Sequence, residues 1–512
     1  MRDDVARRLR GRSIHVVGLS GTEGSTVVEF LLGCGLTTIT AHDLQTRETF
    51  AEAFRRSHAW MSPAEAEGAL ARLLAAPITI RFRDRYLEGI DRADVIYAGQ
   101  AWFRHPENEP VRRARDAGVP LSSMTALFFE TVPCPILGVT GTNGKFTVAH
   151  LAAAMLEASG RRTFVSGNDR THVPILYRLD EVTPDAILVL EISNRQLVGL
   201  PYSPSIAVIT NITPHHLDDH GTFAAYVEAK RTILRHQGPQ GWAILNGDDP
   251  TTRALAAVAP GRCLLWSRVE PLAEGACIVD GWITLRVGGR EERVCEASLA
   301  VPGAHMLENA LAAALASRVA GADPGAIARV LREFRGFPHR LSLVATSGGV
   351  RYYDDSLATN PAAAAAAIRA FDRPLVLLAG GHRRNATAAD FRPVAEALRG
   401  RPVRAVCLFG AMAPLLAEAI ARAGEIAAPV LQCGTLDEAV RVAHARAQPG
   451  DAVTLSPACE SFDQFRDYRH RAERYRELVA AVCGAAPASP AAGAEAPSGA
   501  VGDRPSDRFP WS

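Results

Sequence analysis

Short apolar runs that end in polar or glycine-rich residues recur along the chain. "SIHVVGL" leads through "SGTEGS" into "TVVEFLLGCG", which predicts a strand, a glycine-rich turn and a helix. "TTITAHD" follows as a second strand and ends on Asp43. "CPILGVTGTNGKFTVAHLAAAMLEASG" repeats the plan, and "DAILVLEIS" and "SIAVITNIT" add strands with polar ends. A third series comprises "VRYYDDS", "RPLVLLAGG", "RAVCLFG", "APVLQCG" and "DAVTLSPA", with helical stretches between. Continuous apolar strands alternating with helices belong to sheets covered on both faces.

The expected fold is therefore α/β in three domains. The N-terminal domain is Rossmann-like, the central one resembles a P-loop ATPase with a parallel or mixed sheet, and the C-terminal one is again Rossmann-like. The boundaries read as 1–132, 133–339 and 340–483. Residues 484–512 are rich in Ala, Pro, Gly and Ser and read as a disordered tail, because they cannot bury enough apolar surface to offset their ordering entropy.

Composition adds exclusions. A chain of 512 residues exceeds one hydrophobic core, and 47% hydrophobic with 22% charged residues is ordinary globular usage. The formal net charge of +1 argues for neither a nucleic-acid partner nor membrane insertion. The 9 cysteines form no C-x-x-C pair, so neither a zinc site nor a disulfide framework is expected. "MRDDVARRLRGR" lacks a signal-peptide core, and the expected setting is the cytoplasm, with the chain a monomer.

Gly141-Thr142-Asn143-Gly144-Lys145 lies between a strand and a helix. That context aims backbone N–H groups and a helix N-terminus at a phosphate, and Lys145 adds a charge for the outer phosphates. Phe146 stands where a Ser or Thr hydroxyl normally touches magnesium; Thr147 comes one residue late. Glu191 ends its strand and His216 sits in the polar loop "NITPHHLDDHG", and both are candidate metal ligands. Lys230, in "FAAYVEAKRTIL", reads on its own as a solvated lysine, on a helix whose apolar face (Ala225, Val227, Ala229, Ile233) is incomplete. In the first segment Gly18 and Gly21, with Ser20 between them, form the turn and Asp43 the strand end of a nucleotide-sugar or dinucleotide site; the alternative is a tight turn without ligand.

The serial order of "TGTNGK", "LEIS", "NITP", "LNGDDP", "GAHMLENALAA", "FRGFPHR", "DDSLATNP" and "SPACESFDQF" resembles the Mur ligase family, and the last motif most resembles its glutamate-adding branch. The resemblance implies an ATP-dependent amide-forming enzyme of peptidoglycan synthesis that adds glutamate to UDP-N-acetylmuramoyl-L-alanine through an acyl phosphate, with two magnesium ions. Carried onto this sequence, it gives Gly141 to Thr147 the ATP phosphates, and makes Lys145, Lys230 and His216 catalytic. Glu191, His216 and a carbamylated Lys230 become metal ligands, which displaces the solvated reading of Lys230. Asn309, Arg340 and Asp355 would hold the nucleotide. Ser20, Gly21, Asp43 and Asn168 would meet the UDP-sugar, and Thr359, Arg384, Ser461, Phe462 and Tyr468 the amino-acid end.

The sequence departs from the family pattern at Phe146, at "SNRQL" in place of "SSFQL", at Met306, at Leu357 in place of a lysine, and at Arg384, also in place of a lysine. Two alternatives follow: the same mechanism with a different amine, motivated by Leu357, and a non-catalytic paralogue, motivated by Phe146.

Overall fold

The computed structural model describes residues 2–58, 60–168, 173–214, 217–383, 386–424 and 426–484. Residues 485–512 of the expected tail lie outside the described residues, and Gly484 (φ 65) caps the helix Tyr468–Cys483.

Three sheets form, as expected. The first has five parallel strands in the order Thr79–Arg81, Ile39–His42, Ile14–Val17, Val95–Ala98, Leu121–Ser122. The order reverses beside Ile14–Val17, which opens a crevice at the strand carboxyl ends. The second sheet has nine strands, with Ile136–Thr140 between Ile187–Glu191 and Ile206–Ile209. Its far edge turns antiparallel through Gly275–Val279, Trp282–Val287 and Arg290–Glu296. The hairpin turns there are Asp280-Gly281 (φ 50, 77) and Gly288-Gly289 (φ 60, 73). Positive φ at both central positions matches the twist of two-residue hairpins. The third sheet runs Ser342–Ser347, Val350–Asp354, Ala452–Leu455, Leu375–Gly380, Val403–Phe409, Val430–Gln432, and only its first pair is antiparallel.

The chain packs as two compact units. One holds residues up to Ala297 together with Glu308–Val330, and so contains the first two sheets; the other holds Ser298–Leu307 and the chain from Leu331. In the first unit one continuous core runs from Val5 and Leu9 through Phe128 and Leu188 to Leu255. The helix Lys145–Ala158 is buried from Thr147 through Leu156, as an all-round apolar sequence requires. In the second unit Val376, Leu378, Val453 and Leu455 of the sheet meet Val440, Ala443 and Tyr475 of the flanking helices. Among the described residues no helix is long and apolar enough to cross a membrane.

Candidate active site

The glycine loop sits where the central sheet reverses its strand order. A Cβ on Gly141 (φ 146) would lie 1.8 Å from Thr210 Oγ1, and one on Gly144 (φ 84) 2.2 Å from Asn309 Oδ1. Only glycine fits at either position, and the close approach sets Asn309 against the loop. The loop is held open by its neighbour strand. Thr142 N–H donates to Asn211 O (2.8 Å), Asn143 N–H to Asn211 Oδ1 (3.0 Å), and Thr210 Oγ1 to Asn143 O (2.5 Å).

Lys145 Nζ donates to Gly141 O (3.1 Å) and Thr142 O (3.0 Å). Thr147 is buried, and Phe146 is half-buried, stacked on His150 one turn later with ring centroids 3.9 Å apart. The side chain at 146 therefore packs along its own helix.

Lys230 is 1% exposed, which overturns the solvated reading of its helix. The inward line is Tyr226, Lys230 and Ile233, whereas Ala225, Val227 and Ala229 are not buried. Lys230 Nζ donates to Gly141 O (2.8 Å) and lies 4.9 Å from the Tyr226 ring centroid. Burial, with the nearby charge of Lys145 adding to it, pulls its pKa down to about 6. At neutral pH it is an uncharged nucleophilic amine.

Glu191 ends the adjacent strand and is buried; Asn168 donates from Nδ2 to its Oε1 (3.3 Å) and from its backbone N–H to its carbonyl (2.9 Å). His216 lies outside the described residues. Among the described residues no group of three or more His, Cys, Asp or Glu side chains converges as a metal site. Glu191 does supply a hard anionic oxygen of the kind magnesium takes.

Asn168 also lines a cavity of about 390 Å³ together with Ser20, Gly21 and Asp43, so all four expected UDP-sugar residues share one space. Asp43 accepts from Ser20 N–H (2.5 Å) and Gln45 N–H (2.9 Å), which fixes its carboxylate at the glycine-rich turn. Tyr86, Trp102 and Asn108 complete one wall.

The altered "SNRQL" has a structural answer. Arg195 pairs with Asp219 of the short helix Leu217–His220 (2.7 Å), and Arg104 pairs with the same carboxylate (2.8 Å). Ser193 Oγ donates to Gln100 Oε1 (2.6 Å) and ties the same regions. Sequence reading missed this bridge, because no local pattern links residues so far apart.

The second unit carries Arg340 in a strained turn. Its neighbours His339 (φ 64) and Leu341 (φ 45) both occupy the left-handed region. Two aspartates hold them there: His339 Nδ1 contacts Asp354 Oδ2 (2.9 Å), and Leu341 N–H donates to Asp355 Oδ1 (3.2 Å). Burial pushes Asp355 up to about 7, although Ser456 Oγ donates to it (2.7 Å). For Asp354 burial acts in the same direction but loses to His339 and Arg476, which hold its carboxyl below the usual range. Among the expected amino-acid residues, Phe462 lines a cavity of about 620 Å³ with His382, Arg383 and Glu460. Ser461 is buried beside it, Thr359 is half-buried, and Tyr468 meets His339 edge-on (5.8 Å). Arg384 lies outside the described residues.

Arg471 escaped the sequence reading. It is wholly buried and donates to Cys459 O (3.1 Å), Glu460 O (3.2 Å) and Ser356 O (3.0 Å), joining the ends of two strands. Burial lowers its pKa to about 10. The available signal was the inward spacing Arg471, Tyr475, Val479 on the last helix.

Comparison with known proteins fits this geometry. Residues 139–317 match the Mur ligase middle domain, and 339–459 match the family described as Mur ligase, glutamate ligase domain. The UDP-N-acetylmuramoylalanine–D-glutamate ligase of Symbiobacterium thermophilum is 40% identical over 401 residues, covering 78% of this chain and 86% of that protein. Its counterpart from Pelotomaculum thermopropionicum is 39% identical over 373 residues, 72% and 80% of the two chains. The solved UDP-N-acetylmuramate-alanine ligase of Thermotoga maritima shares the fold, with a TM-score of 0.51 at 19% identity over 92% of this chain and 99% of that one. A glycine loop over a buried lysine, two matching family domains and relatives matched over most of their length lead to one conclusion: the chain belongs to the Mur ligase family.

Proposed function

We propose that this protein is an ATP-dependent ligase that joins D-glutamate to UDP-N-acetylmuramoyl-L-alanine in peptidoglycan precursor synthesis. The observation that carries this reading is the buried, uncharged Lys230 on the Gly141 carbonyl under an intact phosphate loop. The segment 1–132 takes the UDP end, 133–339 the ATP and 340–483 the amino acid. The protein works as a cytoplasmic monomer on diffusible substrates.

The chemical problem is that a carboxylate is a poor electrophile and two polyanions must meet. Loop amides and Lys145 neutralise and orient the terminal phosphates, and Asn309 borders the same loop. A carboxylate oxygen of the UDP-sugar substrate attacks the γ-phosphorus, the bond to the β–γ bridging oxygen breaks, and ADP leaves. The glutamate amine then attacks the acyl carbon and loses a proton, and inorganic phosphate departs.

Lys230, as a free amine, adds to carbon dioxide and releases a proton, which converts a neutral amine into an anionic carbamate. That carbamate, Glu191 and His216 are the ligands assigned to two magnesium ions. Held there, magnesium would supply charge screening between phosphate and carboxylate. Phe146 removes one hydroxyl contact and leaves the loop amides and Lys145 untouched. Arg340 and Asp355 are assigned to the nucleotide, and Ser20, Gly21, Asp43 and Asn168 to the UDP-sugar. Thr359, Arg384, Ser461, Phe462 and Tyr468 are assigned to the incoming amino acid.

The test is ADP release with UDP-N-acetylmuramoyl-L-alanine and a panel of amino acids. Turnover with D-glutamate alone is expected. Turnover only with L-glutamate or another amine replaces the amino-acid assignment, and no turnover with any amine defeats the ligase reading.

A further inference from the structure

Two buried imidazoles lie behind the nucleotide-sugar cavity and outside the chemistry above. His15 sits in the strand Ile14–Val17, and His42 ends the strand Ile39–His42. His15 Nδ1 and His42 Nε2 are 2.8 Å apart, with the rings 25° from coplanar. Leu87 N–H donates to His42 Nδ1 (3.1 Å).

A backbone N–H can only donate, so His42 Nδ1 must carry a lone pair. The proton of a neutral His42 is then on Nε2, and His15 Nδ1 accepts it. Proton order thus runs one way, from Leu87 through His42 to His15. Burial keeps both rings neutral, and His42 is lowered to about 3.

The anchored residue is unusual. Leu87 has φ 60, a left-handed conformation that branched and bulky residues avoid. Its neighbour Tyr86 packs edge-on to His42 with centroids 6.4 Å apart. Tyr86 OH donates to Asn108 Oδ1 (2.5 Å), and Asn108 Nδ2 donates to Trp102 O (2.6 Å). Tyr86, Asn108 and Trp102 form the cavity wall, whereas His42 does not line the cavity.

We propose that His42, backed by His15, is a positioning residue for the nucleotide-sugar site: through Leu87 N–H it fixes the Tyr86–Asn108 wall and so sets affinity for the uridine end of the substrate. The inference rests on the reading of this cavity as the UDP site. It is specific in its demand, since position 42 must present an acceptor to Leu87 N–H.

The experiment compares His42→Leu, which removes that acceptor, with His42→Asn, whose amide oxygen can take over its role. UDP binding is measured by calorimetry, and KM and kcat for both substrates by ADP release. His42→Leu is expected to weaken UDP binding and raise the UDP-sugar KM by about tenfold, the usual scale for one lost buried hydrogen bond, with kcat and the ATP KM within about twofold. His42→Asn is expected to stay within about threefold of the native affinity. A folded His42→Leu with native UDP affinity, or one that loses kcat at unchanged KM, overturns the inference. Where His42→Leu fails to fold, Tyr86→Phe reads the same wall by deleting the hydroxyl to Asn108, and unaltered UDP affinity in it overturns the inference equally. Native protein that does not bind UDP defeats the reading of the cavity itself, which the other outcomes leave standing.

Discussion

Replacing Lys230 by Met tests the site through two readouts that move in opposite directions. The native amine is 1% exposed with a pKa near 6, against 10.5 for a solvated lysine. At pH 7.5 such an amine is ~97% neutral, against ~0.1% for an ordinary lysine, so its reactivity toward carbon dioxide is raised roughly a thousandfold. That reactivity has a stability cost. Folding at pH 7.5 must strip a proton that the unfolded chain keeps up to pH 10.5, which amounts to about 4 kcal/mol at 1.4 kcal/mol per pH unit. The hydrogen bond to Gly141 O returns about 1 kcal/mol.

Lys230→Met fills similar volume without the buried amine. In carbon-dioxide-free buffer it is expected to be more stable than the native protein by on the order of 3 kcal/mol, read from urea unfolding. ADP release should fall by at least about a thousandfold, because the carbamate cannot form. Lys230→Ala should show the same loss and recover partly with acetate, whose carboxylate fits the vacated position. Native enzyme should slow in purged buffer and regain its rate with bicarbonate. A Met variant that turns over, or that is less stable than the native chain, refutes the reasoning.

Phe146→Thr should lower the magnesium concentration for half-maximal rate with little change in kcat, and a large rise in kcat would mark the native loop as impaired. Asp219→Asn leaves Arg195 and Arg104 without their shared carboxylate, and should lower the urea midpoint by the equivalent of about 1–3 kcal/mol, more than Arg195→Phe does. His15 and His42 stay neutral in the folded chain below the usual histidine value of 6.5 while the unfolded chain takes up protons, so stability falls as pH drops below about 6.5. The groups facing them are Asp91, Arg81 and Arg92 for His15, and His15, Arg81 and Glu88 for His42. Between pH 7 and pH 5 the native chain should lose about 2 kcal/mol more than His42→Asn in denaturant titrations, and equal losses would show that His42 is not held neutral.

What the sequence made legible follows the range of the interactions involved. The strand–turn–helix around Gly141 and Gly144 is local, and it appears where expected. Asp43 was readable for the same reason, since it ends a strand one crossover after the glycine turn. The antiparallel edge went unread: its turns Asp280-Gly281 and Gly288-Gly289 are hairpin signals, but the strand after the second, Arg290–Glu296, is mostly charged. Lys230 was not legible from periodicity. Its burial depends on Tyr226 and on the Gly141 carbonyl, which come together only in the folded chain. Arg195, Asp219 and Arg104 lie on three separate segments, and so do His15, His42 and Leu87. Family resemblance could flag "SNRQL" as odd, but only geometry supplied the carboxylate that accounts for the arginine.

The shared acceptor under the glycine loop connects these results. Gly141 O receives both Lys145 Nζ (3.1 Å) and Lys230 Nζ (2.8 Å). Two ammonium groups within reach of one oxygen repel each other strongly in a buried setting. One proton must leave, and it leaves the more buried amine. Lys230, lowered to about 6 by burial and by the charge of Lys145, becomes a nucleophile. On the proposed mechanism, carbamylation would turn the second amine into an anion beside the first cation, so repulsion would become attraction. The same proposed step would place negative oxygen beside the Gly141 carbonyl that Lys230 now contacts. On that proposal the loop would acquire a metal-binding charge that does not depend on residue 146. On the proposed mechanism Phe146 is compatible with a working site, and Lys230, not Phe146, is the residue whose loss should silence it.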